Sequence, residues 1–211
     1  MSDSIAKKEA KSKKTTPARL LELSRNADPS VQYAVASNPN APVQALEYLA
    51  GHGKFMILKA VAAHKNVTPV ILERLAAHKQ WTVCQAVAFN PNVPIKLLER
   101  LAGHNDPRVR TAVLRNVNCT SVLLERLASN ADSSVRFYAA FKCSPVMLEV
   151  LAKDPDIHVR SAVASCQNTP PNAVRALAED ADGQVRAAAV STLDLLHDSE
   201  RLIVLARDPD A

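Results

Sequence analysis

Apolar residues recur along the chain in two interleaved ladders. A Leu-Ala pair stands at Leu49, Leu75, Leu101, Leu127, Leu151, Leu177 and Leu205, and Leu23-Ser24 is an earlier variant; the steps are 26, 26, 26, 26, 24, 26 and 28 residues. The second ladder runs through Val31, Ile57, Val83, Val109, Val135, Val159 and Val185, with steps of 26, 26, 26, 26, 24 and 26. Two independent ladders at one spacing make the chain a repeat array. Each unit predicts two short helices. In the first, Leu or Val three before the anchor (Leu20, Leu46, Leu72, Leu98, Leu124, Leu148, Val174, Leu202) joins the Leu-Ala pair in one helical stripe. Pro42, Pro69, Pro94, Pro145 and Pro171 fall near its start, where a missing N–H costs nothing. The second helix buries a Val-x-x-Ala-Val stripe. It opens at Asp28-Pro29 and Asp106-Pro107, an N-cap followed by proline at the first helical position. It stops near Asn38 to Asn40 and Asn90 to Asn92, where proline cannot continue a helix and asparagine tolerates a left-handed turn.

A helix of two or three turns is marginal alone in water. Stacked units bury each other's stripes, so the fold class expected is an all-α solenoid. Residues 17–211 form it, with about seven to eight two-helix units. The sequence ends where a further second helix would begin, so residues 195–205 read as a terminal cap or an open end. Residues 1–16 are Lys- and Ser-rich with few apolar groups and read as a disordered basic tail.

Composition narrows the class. Aromatic residues make up only 4% of the chain, which suits packing by Leu, Val and Ala. No stretch approaches the ~20 apolar residues of a membrane helix, and the first twenty residues lack the apolar core of a secretory signal. Cys84, Cys119, Cys143 and Cys166 show no Cys-x-x-Cys spacing. They read as four reduced thiols in a cytoplasmic protein. Charge is uneven: +4 over residues 1–20, +6 over 21–148 and −5 over 149–211. A basic first part raises nucleic acid as a partner; the acidic last part opposes a long strand lying along the whole array.

The unit "LAKDPDIHVRSAVASCQNTPP", residues 151–171, resembles the leucine-rich-repeat variant family of bacterial proteins and, more loosely, HEAT-type repeats. The resemblance spans about residues 17–211 and is best over 94–118 and 145–190. It implies a right-handed superhelix in which α-helices alternate with shorter, 3₁₀-like ones, and use as an interaction scaffold. Some HEAT-like arrays act on alkylated bases, so a DNA-repair reading stays open; it would need Asp106 to reach Trp81 from the next unit.

Four constellations are candidates for function or for structure. Arg110, Arg136, Arg160 and Arg186 each follow an aspartate by four residues (Asp106, Asp132, Asp156, Asp182), one helix face apart. A cap with a pairing arginine is the expected role, because the aspartates neutralise the stripe. Asn40, Asn66, Asn92, Asn118 and Asn168 recur in turns and satisfy backbone groups there. His52, His78 and His104 recur at 26 residues. At helix spacings of about 8–10 Å three in a line cannot close on one ion, so they read as helix ends or a partner-facing stripe; no metal or cofactor is expected. The fourth is a break in the pattern. The Asp-Pro start becomes Lys54-Phe55 and Gln80-Trp81, the Arg position becomes Leu58 and Cys84, and Lys79 stands close by. Such local failures mark candidate sites; Lys54, Phe55, Leu58, Lys79 and Trp81 would anchor a peptide or stack on a base.

No phosphate loop, His-Glu-x-x-His motif or nucleophile elbow occurs. The function expected is therefore non-catalytic binding of a macromolecule, a protein before a nucleic acid. Far-UV circular dichroism of the purified chain is expected to show a predominantly helical spectrum; a spectrum dominated by β signal would refute the solenoid.

Overall fold

The structure is a computed structural model and describes residues 2–195. The expected cap or open end beyond residue 195 lies outside the described residues. Two compact units divide the chain, Met1–Cys119 and Thr120–Ala211. The first holds α1 (Asp3–Lys11), α2 (Pro17–Ser24), α3 (Pro29–Ala36), α4 (Val43–His52), α5 (Phe55–Ala62), α6 (Pro69–Ala76), α7 (Trp81–Phe89), α8 (Ile95–Leu101) and α9 (Pro107–Arg115). The second holds α10 (Ser121–Ala128), α11 (Ser133–Ala140), α12 (Pro145–Leu151), α13 (Ile157–Ala164), α14 (Pro171–Leu177) and α15 (Gly183–Leu195). No strand occurs among the described residues.

Within each unit the helices form two layers. In the first unit α1, α3, α5, α7 and α9 pack in sequence, each on the next, while α2, α4, α6 and α8 do the same. In the second unit α11, α13 and α15 form one layer, and α10 packs on α12 in the other. The core lies between layers, where Leu20, Leu46, Leu72, Leu98 and Leu148 meet Val31, Val83, Val109, Val135 and Val159, all fully buried. Each such leucine stabilises the fold by about 1.5–3 kcal/mol relative to leaving it exposed. This is an all-α solenoid.

Local chemistry sets where each helix starts. The first-layer helices α2, α6, α10 and α12 use a hydroxyl: Thr16, Thr68, Thr120 and Ser144 accept from the backbone N–H three residues on, whereas α4, α8 and α14 follow a proline and have no side-chain cap. The second-layer helices α3, α9, α11 and α13 use a carboxylate: Asp28, Asp106, Asp132 and Asp156 accept from the N–H two residues on, whereas α5 and α7 have no side-chain cap. A cap of this kind is worth about 1 kcal/mol.

Both layers are α-helical, which corrects the expected alternation with 3₁₀-like helices. First-layer bonds such as Leu20 N–H to Thr16 C=O span four residues, and three-residue bonds occur at helix ends, as in Ala45 N–H to Pro42 C=O and Asn26 N–H to Leu23 C=O. The Leu stripe at −3 and 0 is itself an α-helical spacing, and it holds that geometry.

The N-terminal segment is a second correction. Residues expected as a disordered tail form α1 and its following turn. Ala6 and Ala10, four apart, are buried against α3. The Asn38 amide donates to Ala10 C=O (2.7 Å) and Ser12 C=O (2.9 Å), and Asn40 donates to Lys13 C=O (2.8 Å). Thr15 Oγ1 donates back to Glu9 C=O, and Arg19 forks onto the Glu9 carboxylate. Segment α1 thus takes the place of a second-layer helix, packed on α3.

The same contact recurs through the first unit. Asn90 donates to Ala62 C=O (2.7 Å) and His64 C=O (3.2 Å), and Asn116 donates to Ala88 C=O (2.6 Å) and Asn90 C=O (2.9 Å). His64 stands in for asparagine, its Nε2 2.8 Å from Asn38 C=O. In each case the remaining acceptor atom takes a local N–H, from Asn40, Asn66, Asn92 or Asn118. Those four asparagines, four of the five that the sequence singles out, then donate to Lys13, Ala41, Lys65 and Pro91 carbonyls.

The Asp–Arg ladder is structural, with its partners shifted. Arg136 forks onto Asp154 (2.6 and 2.8 Å) and Arg160 onto Asp180 (2.7 and 3.0 Å). Both aspartates belong to the following unit of the array, not to the helix carrying the arginine. The second guanidinium nitrogen of Arg110, Arg136, Arg160 and Arg186 donates to carbonyls five and six residues earlier. Asp106, Asp132, Asp156 and Asp182 remain helix caps. Hydrogen bonds from Arg160 hold the Asp180 carboxyl below the usual carboxylate range.

Asn90→Ala is expected to cost about 1–3 kcal/mol, because the buried Ala62 C=O loses its donor while His64 C=O keeps Val67 N–H. Asn92→Ala, at the exposed rung, should cost under about 1 kcal/mol. Urea midpoints of the two variants beside wild type test the difference; equal shifts would show that the buried rung has no special weight.

Candidate binding groove

The break in the capping pattern shapes a groove. Helix α5 begins with Lys54-Phe55 and has no side-chain cap. Ile57, Leu58 and Val61 take its buried stripe, which leaves Phe55 and Met56 turned outward, each 48% exposed. Tyr33 on α3, two past its Val31 anchor, is likewise off the stripe and 45% exposed. Tyr33, Phe55 and Met56 line a cavity of about 530 Å³ with Lys7 and Lys11 from α1 and with Lys54. A neighbouring cavity of about 420 Å³ shares Tyr33 and Met56 and extends between α3 and α5 to Lys59 and Lys65. A third, about 330 Å³, shares Lys59 and reaches Phe89 on α7. Five lysines line the three cavities, and no Asp or Glu does. Asp28 stands at the edge, where its carboxylate caps α3 through the Ser30 N–H and hydroxyl and feels the charge of Lys7. The unit around the groove carries net +9, and the second unit net −4.

Trp81 does not join Phe55. The Arg108 guanidinium lies over its ring, 3.5 Å from the centroid. Asp106 holds that guanidinium through Nε (3.0 Å) and the terminal nitrogen (2.7 Å). Those hydrogen bonds pull Asp106 below the usual carboxylate range. Asp106 therefore does come near Trp81 from the next unit, as the repair reading requires, but through an arginine that covers the ring face. Lys79 is exposed and is not part of the groove lining. Leu58 is a correction: it is 6% exposed and belongs to the core, because its position one past the anchor is largely covered in other units too, where the Arg136 and Arg160 side chains are 13% and 16% exposed.

The histidines are engaged in turns. Nδ1 of His78 accepts from Gln80 N–H (3.1 Å), and Nδ1 of His104 from Asp106 N–H (3.0 Å). Asn26, Asn130, Asp154 and Asp180 make the same contact in other units. His52 differs: α4 runs through it, so its ring stacks on Tyr48 and Nδ1 meets Tyr48 C=O (2.9 Å). Gly53 ends that helix, where a Cβ would sit 2.7 Å from Leu49 C=O. No group of three or more His, Cys, Asp or Glu is placed to hold a metal among the described residues.

None of the four cysteines forms a disulfide among the described residues. Burial pushes Cys143 up to about 11 and raises Cys84 and Cys166 as well, so these three thiols are poor nucleophiles. Cys84 replaces the ladder arginine and donates to His78 C=O, the carbonyl position that Arg110 reaches at His104. No helix among the described residues is long and apolar enough to cross a membrane.

Of the residues predicted for a site, Lys54 and Phe55 line the groove. Tyr33, Met56, Lys7, Lys11, Lys59 and Lys65 join them without having been predicted. The available signal was position: Tyr33 and Met56 are large apolar residues that fall off the buried stripe.

No family model and no curated protein matches the sequence. Among solved structures the chain is similar to a leucine-rich repeat variant described as having a novel repetitive protein structural motif. Identity is 24% and the TM-score 0.70, over 90% of this chain and 81% of that one. The likeness is one of fold, and it agrees with the resemblance carried by residues 151–171.

Trp81 is the only tryptophan, so its fluorescence reports this contact alone. Arg108→Ala is expected to raise acrylamide quenching of Trp81, with Arg100→Ala as an unaffected control. Unchanged quenching would show that the guanidinium does not shield the ring.

Proposed function

We propose that the protein is a non-catalytic interaction scaffold that binds a partner protein on the α1–α3–α5–α7 face of its first unit. The observation that carries this reading is the groove: exposed Tyr33, Phe55 and Met56 at its floor and lysines along its rim. Contiguous exposed apolar surface with a polar border is the signature of an interaction site, and aromatic anchors carry most of the energy of such sites. The titratable side chains support it as well. The ladder aspartates cap helices, Asp154 and Asp180 hold arginines, and His78 and His104 accept turn amides. No nucleophile, base and orienting group come together among them. The solved neighbour supports a repeat fold of the kind used for binding.

Nucleic acid is the second reading, favoured by the +9 charge of the first unit. The apolar groove floor and the covered face of Trp81 weigh against it. A pull-down from native extract with wild type beside Phe55→Ala/Met56→Ala decides between them. The expected result is one protein partner retained by wild type and by a Phe141→Ala control in the second unit, and lost by the double variant. Nuclease-sensitive capture, or steeply salt-dependent binding of a single strand that survives at physiological ionic strength, would favour the second reading instead.

A further inference from the structure

We infer that the groove takes an acidic segment of the partner, bound extended, with aliphatic or aromatic side chains seated between α3 and α5. The inference deepens the protein-binding reading and rests on it. Its first support is charge complementarity. Lys7, Lys11 and Lys54 surround one end of the groove and Lys59 and Lys65 the other, with no carboxylate in the lining between them. Asp28, beside Lys7, is turned to its own helix start and to Ser30. An incoming carboxylate therefore meets cations that no lining acid neutralises.

The second support is the start of α5. Asp28, Asp106, Asp132 and Asp156 cap the corresponding helices, whereas Lys54 holds that position on α5 and no side chain accepts there. The first backbone N–H groups of α5 and the Lys54 ammonium thus favour an anion at the same end of the cavity. A carboxylate from the bound segment would supply the acceptor that the sequence omits.

The third support is the floor, which separates a peptide from a nucleic acid. Met56, Pro29 and Ile57 deepen the cavity beside Phe55 and Tyr33. This irregular apolar hollow fits an aliphatic side chain, and methionine adapts its shape to one. All five rim cations are lysines. Arginine, whose planar fork matches phosphate, is absent from the lining.

Length follows from the geometry. The track descends the α3–α5 groove, about 12 Å for an eight-residue helix, then crosses one helix spacing of about 9 Å to Phe89. About six extended residues span that distance.

The test is selection of random peptides displayed against the full chain, followed by anisotropy titration. The titration probe is a fluorescein-labelled octapeptide alternating Asp or Glu with Leu or Phe. A probe with Lys in place of the acids and a short oligo-dT strand serve as comparisons. The expected outcome is enrichment of acidic–apolar peptides and binding of the acidic probe that weakens with salt. It should fall about tenfold or more on Lys54→Glu and on Met56→Glu. Both positions are exposed, so unchanged thermal melts by circular dichroism certify folding. Enrichment of neutral or basic peptides that still need Phe55 and Met56 would overturn the acidic occupant and leave the protein-binding face standing. Absence of any peptide binding that responds to these variants, or tighter binding of oligo-dT than of the acidic probe, would overturn both.

Discussion

The array depends on a buried amide that reaches backward by one unit. A second-layer helix ends with carbonyls that have no partner inside the helix. Here those ends lie in the core, where an unsatisfied carbonyl is costly. Asn38, Asn90 and Asn116 answer this from the following unit, each with both amide hydrogens on two carbonyls and its oxygen on a local N–H. His64 shows what the position requires chemically. It needs one donor directed backward and one acceptor directed at the turn, and an imidazole in the right tautomer provides both.

This dependence has a direction, and the direction explains the N-terminal segment. The first full unit carries Asn38, whose donors need carbonyls from something earlier. Helix α1 supplies them at Ala10 and Ser12. A nine-residue helix rich in lysine would not persist alone in water. Two buried alanines and the two accepted hydrogen bonds hold it. Holding α1 also fixes Lys7 and Lys11 at the rim of the groove, so the same contact helps build that cationic surface.

The periodic apolar ladders were legible in the sequence because a core between two helical layers needs the same residues at the same places in every unit. The surface asparagines, the helix caps and the pattern break at Lys54-Phe55 were legible for the same reason. The buried amides were not, because hydropathy treats asparagine as a surface residue and only the contact with another unit shows that Asn38, Asn90 and Asn116 are interior. Composition hid α1, since its six polar or charged residues outweigh two alanines four apart. The groove was half visible. Phe55 announced itself by replacing proline, but Tyr33, Met56 and the α1 lysines become neighbours of it only across helices, a relation that no local rule contains. Leu58 looked like part of the break and is core, because the ladder position it fills is largely covered whichever residue holds it.

A donor on one unit that must meet a carbonyl on the previous one restricts how the chain can change length. Adding or removing a whole 26-residue unit presents the same donor to an equivalent carbonyl, whereas a shift of one or two residues in the turn carries the donor past it. The single shortened step of the array, 24 residues between Val135 and Val159, follows this rule. Its two missing residues fall in the turn at Lys142 to Ser144, where lysine replaces the buried amide. Beyond it Cys166 donates weakly to Ala140 C=O, 26 residues back, and Thr192 returns to the ordinary 28 at Ala164 C=O. Insertions and deletions in proteins built this way should therefore come as whole units, or accumulate where the amide has already been lost.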